Sequence, residues 1–393
     1  MANTLLNVDQ ITNRALMILH QKLNFIGSIN RNYDNNFAQE GAKIGSTLRI
    51  RLPNQYTVRS GAALSLQDVA ETNTTLAVTN QKGVDTTFSS AQLALSIFDF
   101  SQQVLEPAMA VLAANIEADA FAMARDVYNT VNGSGSSQTL RNMLQARKVL
   151  KDNLAPNATY MARIDTQSNV DLVDSLKGLF QSSNKIKKQY EDGVIGETGG
   201  FEFAENTLLP SFTFGARNNA YLTNSAVAQT GSSLIVDTGA NAAAAGDVFT
   251  IGGVFRVHPE TKASTGILQQ FVVTAAYAGG AGTISIAPAI VASGAYQNVS
   301  NGAADNQAIT FVGTASATTQ QSLCYHPDAF TFATADLILP DGVHFAARKV
   351  QDGISMRVVR QYDINNDLMP CRLDVLYGFK AIRPQLACRV LAN

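Results

Sequence analysis

The sequence has no tryptophan and only three cysteines in 393 residues, and charged side chains make up only 15 % of it. Roughly 25 % is the usual charged share. Each shortage excludes something. Cys324, Cys371 and Cys388 are an odd set in a long chain. They form no disulfide framework and suit a reducing compartment. No run approaches the ~18 apolar residues of a membrane span, so no membrane partner is expected. Residues 1–23 lack the basic start and continuous apolar stretch of a signal peptide. A net charge of −2 provides no basic field to draw in nucleic acid. Such a chain handles DNA, if at all, by enclosing it, without sequence-specific binding.

Apolar residues reach 46 %, an ordinary globular share. The length suits two or three domains. Ala, Asn, Gln, Ser and Thr stand where charges are missing. A surface so poor in charge is either covered by neighbours, since interface centres are depleted in charge, or is the neutral polar face of a β-rich protein.

Catalytic patterns are missing as well. There is no Gly-Lys-Ser/Thr loop and no complete Gly-x-Gly-x-x-Gly, because Gln138 stands where Gly133-Ser-Gly135 would need its third glycine. The loop 193–200 has glycines but no basic residue among them. The histidines His20, His258, His326 and His344 are scattered. Cys324-Tyr-His326 has no second ligand pair at zinc spacing and reads as a buried cysteine beside a surface histidine. Asp363-Ile-Asn-Asn-Asp367 lacks the glycine and glutamate of a calcium loop and reads as a turn. Cys371 beside Arg372 is the one cysteine with a nucleophile's setting, and a structural thiol on a strand is the plainer reading. No catalytic residue, cofactor or metal is expected.

What is present is a sequence of contrasting segments. Ile11, Ala15, Ile18 and Leu19 give a polar start one short helical face. Leu48, Ile50 and Leu52 alternate with Arg49 and Arg51, a strand with one polar side. With Leu76, Val78 and Val84, residues 45–88 read as a two-stranded excursion that cannot be stable alone. Phe100 to Val127 keeps a three-to-four spacing with Asp99 as N-cap and Glu117, Asp119 and Arg125 off the stripe, a helix of about 45 Å at about 1.5 Å per residue. Pro107 marks its kink or its start. Helices over 139–152, capped by Thr139, and 167–180 flank a strand at 160–164, and another strand follows at 201–204. From 213 to 321 Gly, Ala, Ser and Thr dominate and short strands recur, as in a small barrel or sandwich. The return of apolar strands afterwards makes this block an insertion in an α+β domain.

Three stretches carry a resemblance. They are Ser96-Ile-Phe-Asp-Phe-Ser with Leu105-Glu-Pro-Ala-Met-Ala-Val-Leu-Ala and Ile116-Glu-Ala-Asp119; Gly199-Gly-Phe-Glu-Phe-Ala-Glu-Asn-Thr-Leu-Leu-Pro210; and the tail. The tail comprises Tyr325-His-Pro-Asp-Ala-Phe330, Gly353-Ile-Ser-Met-Arg-Val-Val-Arg-Gln-Tyr-Asp363, Cys371-Arg-Leu-Asp-Val-Leu-Tyr-Gly378 and Arg383-Pro-Gln-Leu-Ala387, the most specific of the three. Gly246-Asp-Val-Phe-Thr-Ile-Gly-Gly-Val-Phe255 adds to it. They resemble the coat proteins of short-tailed phages of the Salmonella type, a branch of the HK97-like capsid fold.

The resemblance implies an N-terminal arm (1–44), an extended loop (45–88), a peripheral domain with a spine helix (89–132), a central domain (133–212 and 322–370), an inserted β-barrel domain (213–321) and returning C-terminal strands (371–393). It implies a major capsid protein that self-assembles as pentamers and hexamers into an icosahedral head around double-stranded DNA. Scaffolding protein and portal would be assembly partners, the host cytoplasm the place of assembly and the virion the destination. Arg49, Arg51 and Arg59 are candidates for inter-subunit contacts, against a reading as solvated strand charges. With no lysine between Lys43 and Lys82, loop crosslinking is not implied. A cargo-enclosing shell of the same fold, a phage tail or decoration protein, and a hydrolase with an accessory β domain are the rival readings.

Overall fold

The computed structural model describes residues 23–32, 47–59, 61–64, 66–68, 71–89, 106–176, 196–351 and 354–393. The chain runs through β1 (Thr47–Arg51), β2 (Asn73–Ala77), β3 (Asn80–Ser89) and α1 (Glu106–Phe121). Next come β4 (Thr130–Gly133), α2 (Leu140–Asp152), β5 (Tyr160–Ile164), α3 (Thr166–Leu176), β6 (Glu197–Thr198), β7 (Phe201–Glu205) and β8 (Phe212–Thr213). A run of strands follows: β9 (Gly231–Val236), β10 (Val248–Val257), β11 (Ser264–Val273), β12 (Gly282–Ile290) and β13 (Ile309–Phe311). The last are β14 (Thr318–Tyr325), β15 (Phe330–Ala335), β16 (Phe345–Gln351), β17 (Ile354–Arg360), β18 (Leu368–Ala381) and β19 (Ala387–Ala392). Few helices and many strands make this a mixed α+β chain.

Two compact units divide it. One comprises Met1–Ile50, Thr74–Phe121 and Phe330–Lys380; the other comprises Arg51–Asn73, Ala122–Ala329 and Ala381–Asn393.

In the first unit β18 is the organising strand. It lies between β15 and β17, with β16 beyond, and β3 pairs with it from Ser89↔Leu368 to Asn80↔Tyr377. Gly378 has no side chain because a Cβ there would run into the Ala77 carbonyl. α1 is rich in alanine, the best helix former, and Pro107 sits in its first turn, where the missing N–H costs nothing. Ala108, Met109, Leu112, Ala113, Ile116, Ala120 and Phe121 are buried in pairs four apart, one continuous stripe. Phe25 stacks on Phe121 at 4.4 Å and meets Phe330 edge-on at 5.8 Å.

Glu117 lies on that stripe, not off it, and is 1 % exposed. Its carboxylate accepts the amides of Asn24 (3.0 Å) and Phe25 (2.5 Å), so it docks the segment before Ile26 onto the helix. Asp119 accepts the Tyr377 hydroxyl at 2.5 Å and pairs with Lys82 at 2.7 Å.

The second unit has two sheets. One runs β4-β19-β14-β5-β7-β6, with β8 paired to β14. All six residues of β19 are buried, as a central strand covered on both faces requires. α2 covers one face: Thr139 Oγ1 caps it by accepting the Asn142 amide at 3.4 Å, and Met143 Sδ accepts the Cys324 thiol at 3.6 Å. The other sheet runs β13-β10-β11-β12-β9. Its core comes from its own residues, among them Tyr221, Leu234, Phe249, Ile251, Phe271, Ile284 and Phe311. Gly252-Gly253 break the pairing of β10 with β11 between Thr250 and Phe255, and Gly253 has φ +76°.

Several expectations change. The α-helix ends at Phe121; Ala122–Asp126 tighten into a 3-10 turn, and Thr130 already begins β4. The apolar spacing continued because Met123, Ala124 and Val127 are buried anyway, and periodicity reports burial, not the hydrogen-bond ladder. The expected start at Asp99, the helical patch at 11–19 and residues 177–180 of the third helix lie outside the described residues. Val84 sits on β3, in the sheet of β18, while the ribbon itself is β1 with β2. His326 is 6 % exposed rather than on the surface.

Glu117→Ala leaves two amides in a buried setting without this acceptor. It should destabilise the protein by about 2–4 kcal/mol and speed amide exchange at Asn24 and Phe25; an unchanged melting temperature would contradict the docking role.

Candidate assembly surface

Four of the exposed large apolar side chains lie in the chain between β1 and β2. Tyr56 (59 %), Val58 (93 %), Leu64 (79 %) and Leu66 (86 %) point into solvent. Isolated exposed apolar residues are ordinary, but four within eleven positions of one loop are a concentration that calls for a cover. The spacing had a signal in it, since Tyr56/Val58 and Leu64/Leu66 each alternate as strand residues do. It is easily passed over because residues 60–73 read as a small, polar loop tip.

The arginines expected to make contacts fare differently. Arg49 is exposed on β1. Arg51 reaches Glu71 at 3.4 Å, with side chains 80 % and 55 % exposed, a pair worth little in water. Arg59 turns inward: its Nη1 donates to the carbonyls of Gly61 and Ala63. Gln67 pins the Thr57 backbone from both sides, at 2.9 and 2.6 Å. Arg59 is therefore engaged in closing the tip. Pro107 lies on α1 and makes no part of this surface's geometry.

The chemistry elsewhere is quiet. Burial, the largest influence, pushes the Cys388 thiol up to about 12 and raises Cys324 and Cys371 as well. All three are buried and free, so none has the low pKa of a nucleophile. Asp363 folds its own turn, accepting the Asn365 amide at 3.0 Å and the Asn366 side chain at 2.8 Å. Among the described residues no group of His, Cys, Asp and Glu is placed to hold a metal, and no helix is long and apolar enough to cross a membrane. The glycine loop does meet basic side chains: Arg147 and Lys151 of α2 line a cleft of about 480 Å³ with Gly199 and Gly200, and Glu197 shares it.

The family described as P22 coat protein, gene protein 5, matches residues 31–391. The chain belongs to the P22 coat protein family. It is a major capsid protein, a structural component that builds the multi-subunit head of a tailed phage and resides in the virion. Solved structures similar to it include the capsid of Ralstonia phage GP4, with TM-score 0.49, 7 % identity and coverage of 93 % of this chain and 87 % of that one. Mycobacterium phage Che8 gives TM-score 0.48 and 12 % identity, covering 92 % and 89 %. A virus-like particle from Pyrococcus furiosus gives 0.42 and 6 %, covering 97 % and 98 %. At these scores none of them bears on function. No curated protein matches the chain.

His326, first read as a surface residue, yields a pH expectation. Its Nδ1 accepts the Asp328 amide at 3.2 Å, and burial lowers its pKa below 6.5, opposed by Asp328 and reinforced by Arg383. The unfolded chain takes up this proton near the ordinary value of 6.5 and the folded one only below it. Stability should therefore fall as pH drops through 6.5 toward the folded value, then level off. Melting temperatures of His326→Asn across that window should show a shallower pH slope than those of the unaltered protein; equal slopes would sink the assignment.

Proposed function

We propose that this capsid protein assembles, as pentamers and hexamers, into an icosahedral HK97-like shell around double-stranded DNA, with β1, β2 and the tip between them lying on a neighbouring subunit. The carrying observation is the exposed apolar tip, Tyr56, Val58, Leu64 and Leu66. Covering a side chain of this size is worth about 1.5–3 kcal/mol when complete. A second copy of the chain is the natural cover, because a closed shell multiplies modest contacts until loss of one subunit is rare. Arg49 is exposed, and Arg51, whose pair with Glu71 is itself exposed, can exchange that partner for acidic groups next door, while Arg59 shapes the loop that presents the apolar residues.

The other parts take matching roles. Residues 213–321 act as an inserted β domain with a core of its own, 133–212 and 322–370 as the central domain, and 371–393 as the C-terminal strands that return to the core. α1 serves as the described part of the spine helix. Scaffolding protein and portal join during assembly in the host cytoplasm. A net charge of −2 supports enclosure of DNA over attraction to it.

Replacing Tyr56, Val58, Leu64 and Leu66 together by Ser should leave the circular dichroism spectrum unchanged while electron micrographs lose closed particles. Normal particle yield from that variant would refute the tip's role. Residues 213–321 expressed alone should give dispersed β-type amide NMR shifts, and a collapsed spectrum would count against an independent domain.

A further inference from the structure

Within the second unit Arg217 (2 % exposed), Asp247 (0 %) and Arg389 (2 %) are charged side chains almost fully out of water. Asp247 accepts the amides of Gly215 at 3.2 Å and Ala244 at 2.9 Å, and its Oδ2 lies 3.2 Å from Arg217 Nε. Arg217 donates to the carbonyls of Gly215 (3.2 Å) and Val312 (2.5 Å) and lies 4.9 Å from the ring centres of both Phe214 and Phe311. Arg389, on β19, donates to the Gly246 carbonyl at 2.8 Å and lies over Phe212 at 5.3 Å. Burial pulls its guanidinium down to about 10, a measure of what holding this cation costs.

These contacts join four pieces of chain. They are the path into the β block at 212–217, the turn 244–247 within it, the path out at Val312, and β19. The core of the block, from Tyr221 to Phe311, is packed by its own apolar residues. The block can therefore fold without this network, but its two crossings cannot be seated without it. Asp247 faces both guanidiniums and Asp126 adds its field at Arg389, so the junction is a buried network of charges. Apolar side chains of the same size would cost less to bury. What the forked guanidinium adds is direction, since it fixes carbonyls at set angles.

We infer that Arg217, Asp247 and Arg389 form a clasp that seats the β block in one orientation, and that the clasp closes only once β19 occupies its place between β4 and β14. β19 pairs with Thr130–Gly133 and with Thr318–Tyr325, so its insertion closes the longest loop in the unit and comes late. Resting on the shell reading above, the clasp is a check on assembly: a subunit whose β block is unseated cannot fit its neighbours.

Hydrogen exchange on the intact soluble subunit, read beside particle formation, tests this. In Asp247→Ala, amides at 213–217, 244–247 and 312–318 should exchange about tenfold faster or more, while those at 249–251, 271–273 and 309–311 keep their rates. Particle formation should be lost. Adding Arg217→Met to that variant removes the cation that has lost its partner at 3.2 Å and should slow exchange again at the crossings. Equal acceleration through the block's core, unchanged rates at the crossings, or normal particles despite fast crossings would each overturn the clasp. If Asp247→Ala does not fold, Arg389→Met against Arg389→Lys decides: the clasp requires faster exchange at 244–247 in Met than in Lys. If the unaltered protein forms no particles, the shell reading fails, and the exchange pattern still judges the clasp.

Discussion

Strand β19 is the constraint on which the second unit depends. Six consecutive buried residues, Ala387–Ala392, lie between β4 and β14 and bring chain segments from opposite ends of the sequence into one sheet. Such a strand must be small and apolar, because it is covered on both faces. Arg389 breaks that rule. Its backbone donates to the Asn129 carbonyl while its guanidinium leaves the sheet for Gly246. One residue thus belongs at once to the ladder and to the junction with the β block. That double duty is what an apolar residue could not provide.

Buried carboxylates perform the matching task elsewhere. Glu117 takes two amides of the segment before Ile26, and Asp247 takes two amides from separate loops. In each case a buried carboxyl group fixes backbone that belongs to no helix or strand. A buried donor without a partner costs more than a typical hydrogen bond contributes, so these contacts define position as much as stability. The chain spends its few charges inside on such junctions and leaves its outer tip apolar.

Much of the architecture was readable in advance. The Thr139 cap, the strand at 160–164, the Gly252-Gly253 break and the turn at 363–367 follow from local chemistry: a side-chain oxygen at a helix start, β-forming residues in alternation, and glycine or Asx residues where the backbone bends. The family was readable from the motifs at 96–119, 199–210 and 353–387. Less of the candidate surface was. The arginines drew attention because charge is conspicuous in a sequence, yet Arg59 spends its donors on its own loop. Residues 60–73 read as a polar loop tip because small and polar residues dominate there, so Leu64 and Leu66 do not stand out.

The sequence by itself determined the shortage of charge, the local elements and the coat-protein family. It set Glu117 off the apolar stripe and His326 on the surface and gave no sign of Arg389's role, yet all three are buried. Local periodicity describes a residue's neighbours within a few positions. Burial of a charged side chain depends on acceptors and donors supplied by segments far away in the chain, and only the folded structure brings Arg389 to Gly246, Asp247 to Gly215 and Glu117 to Phe25.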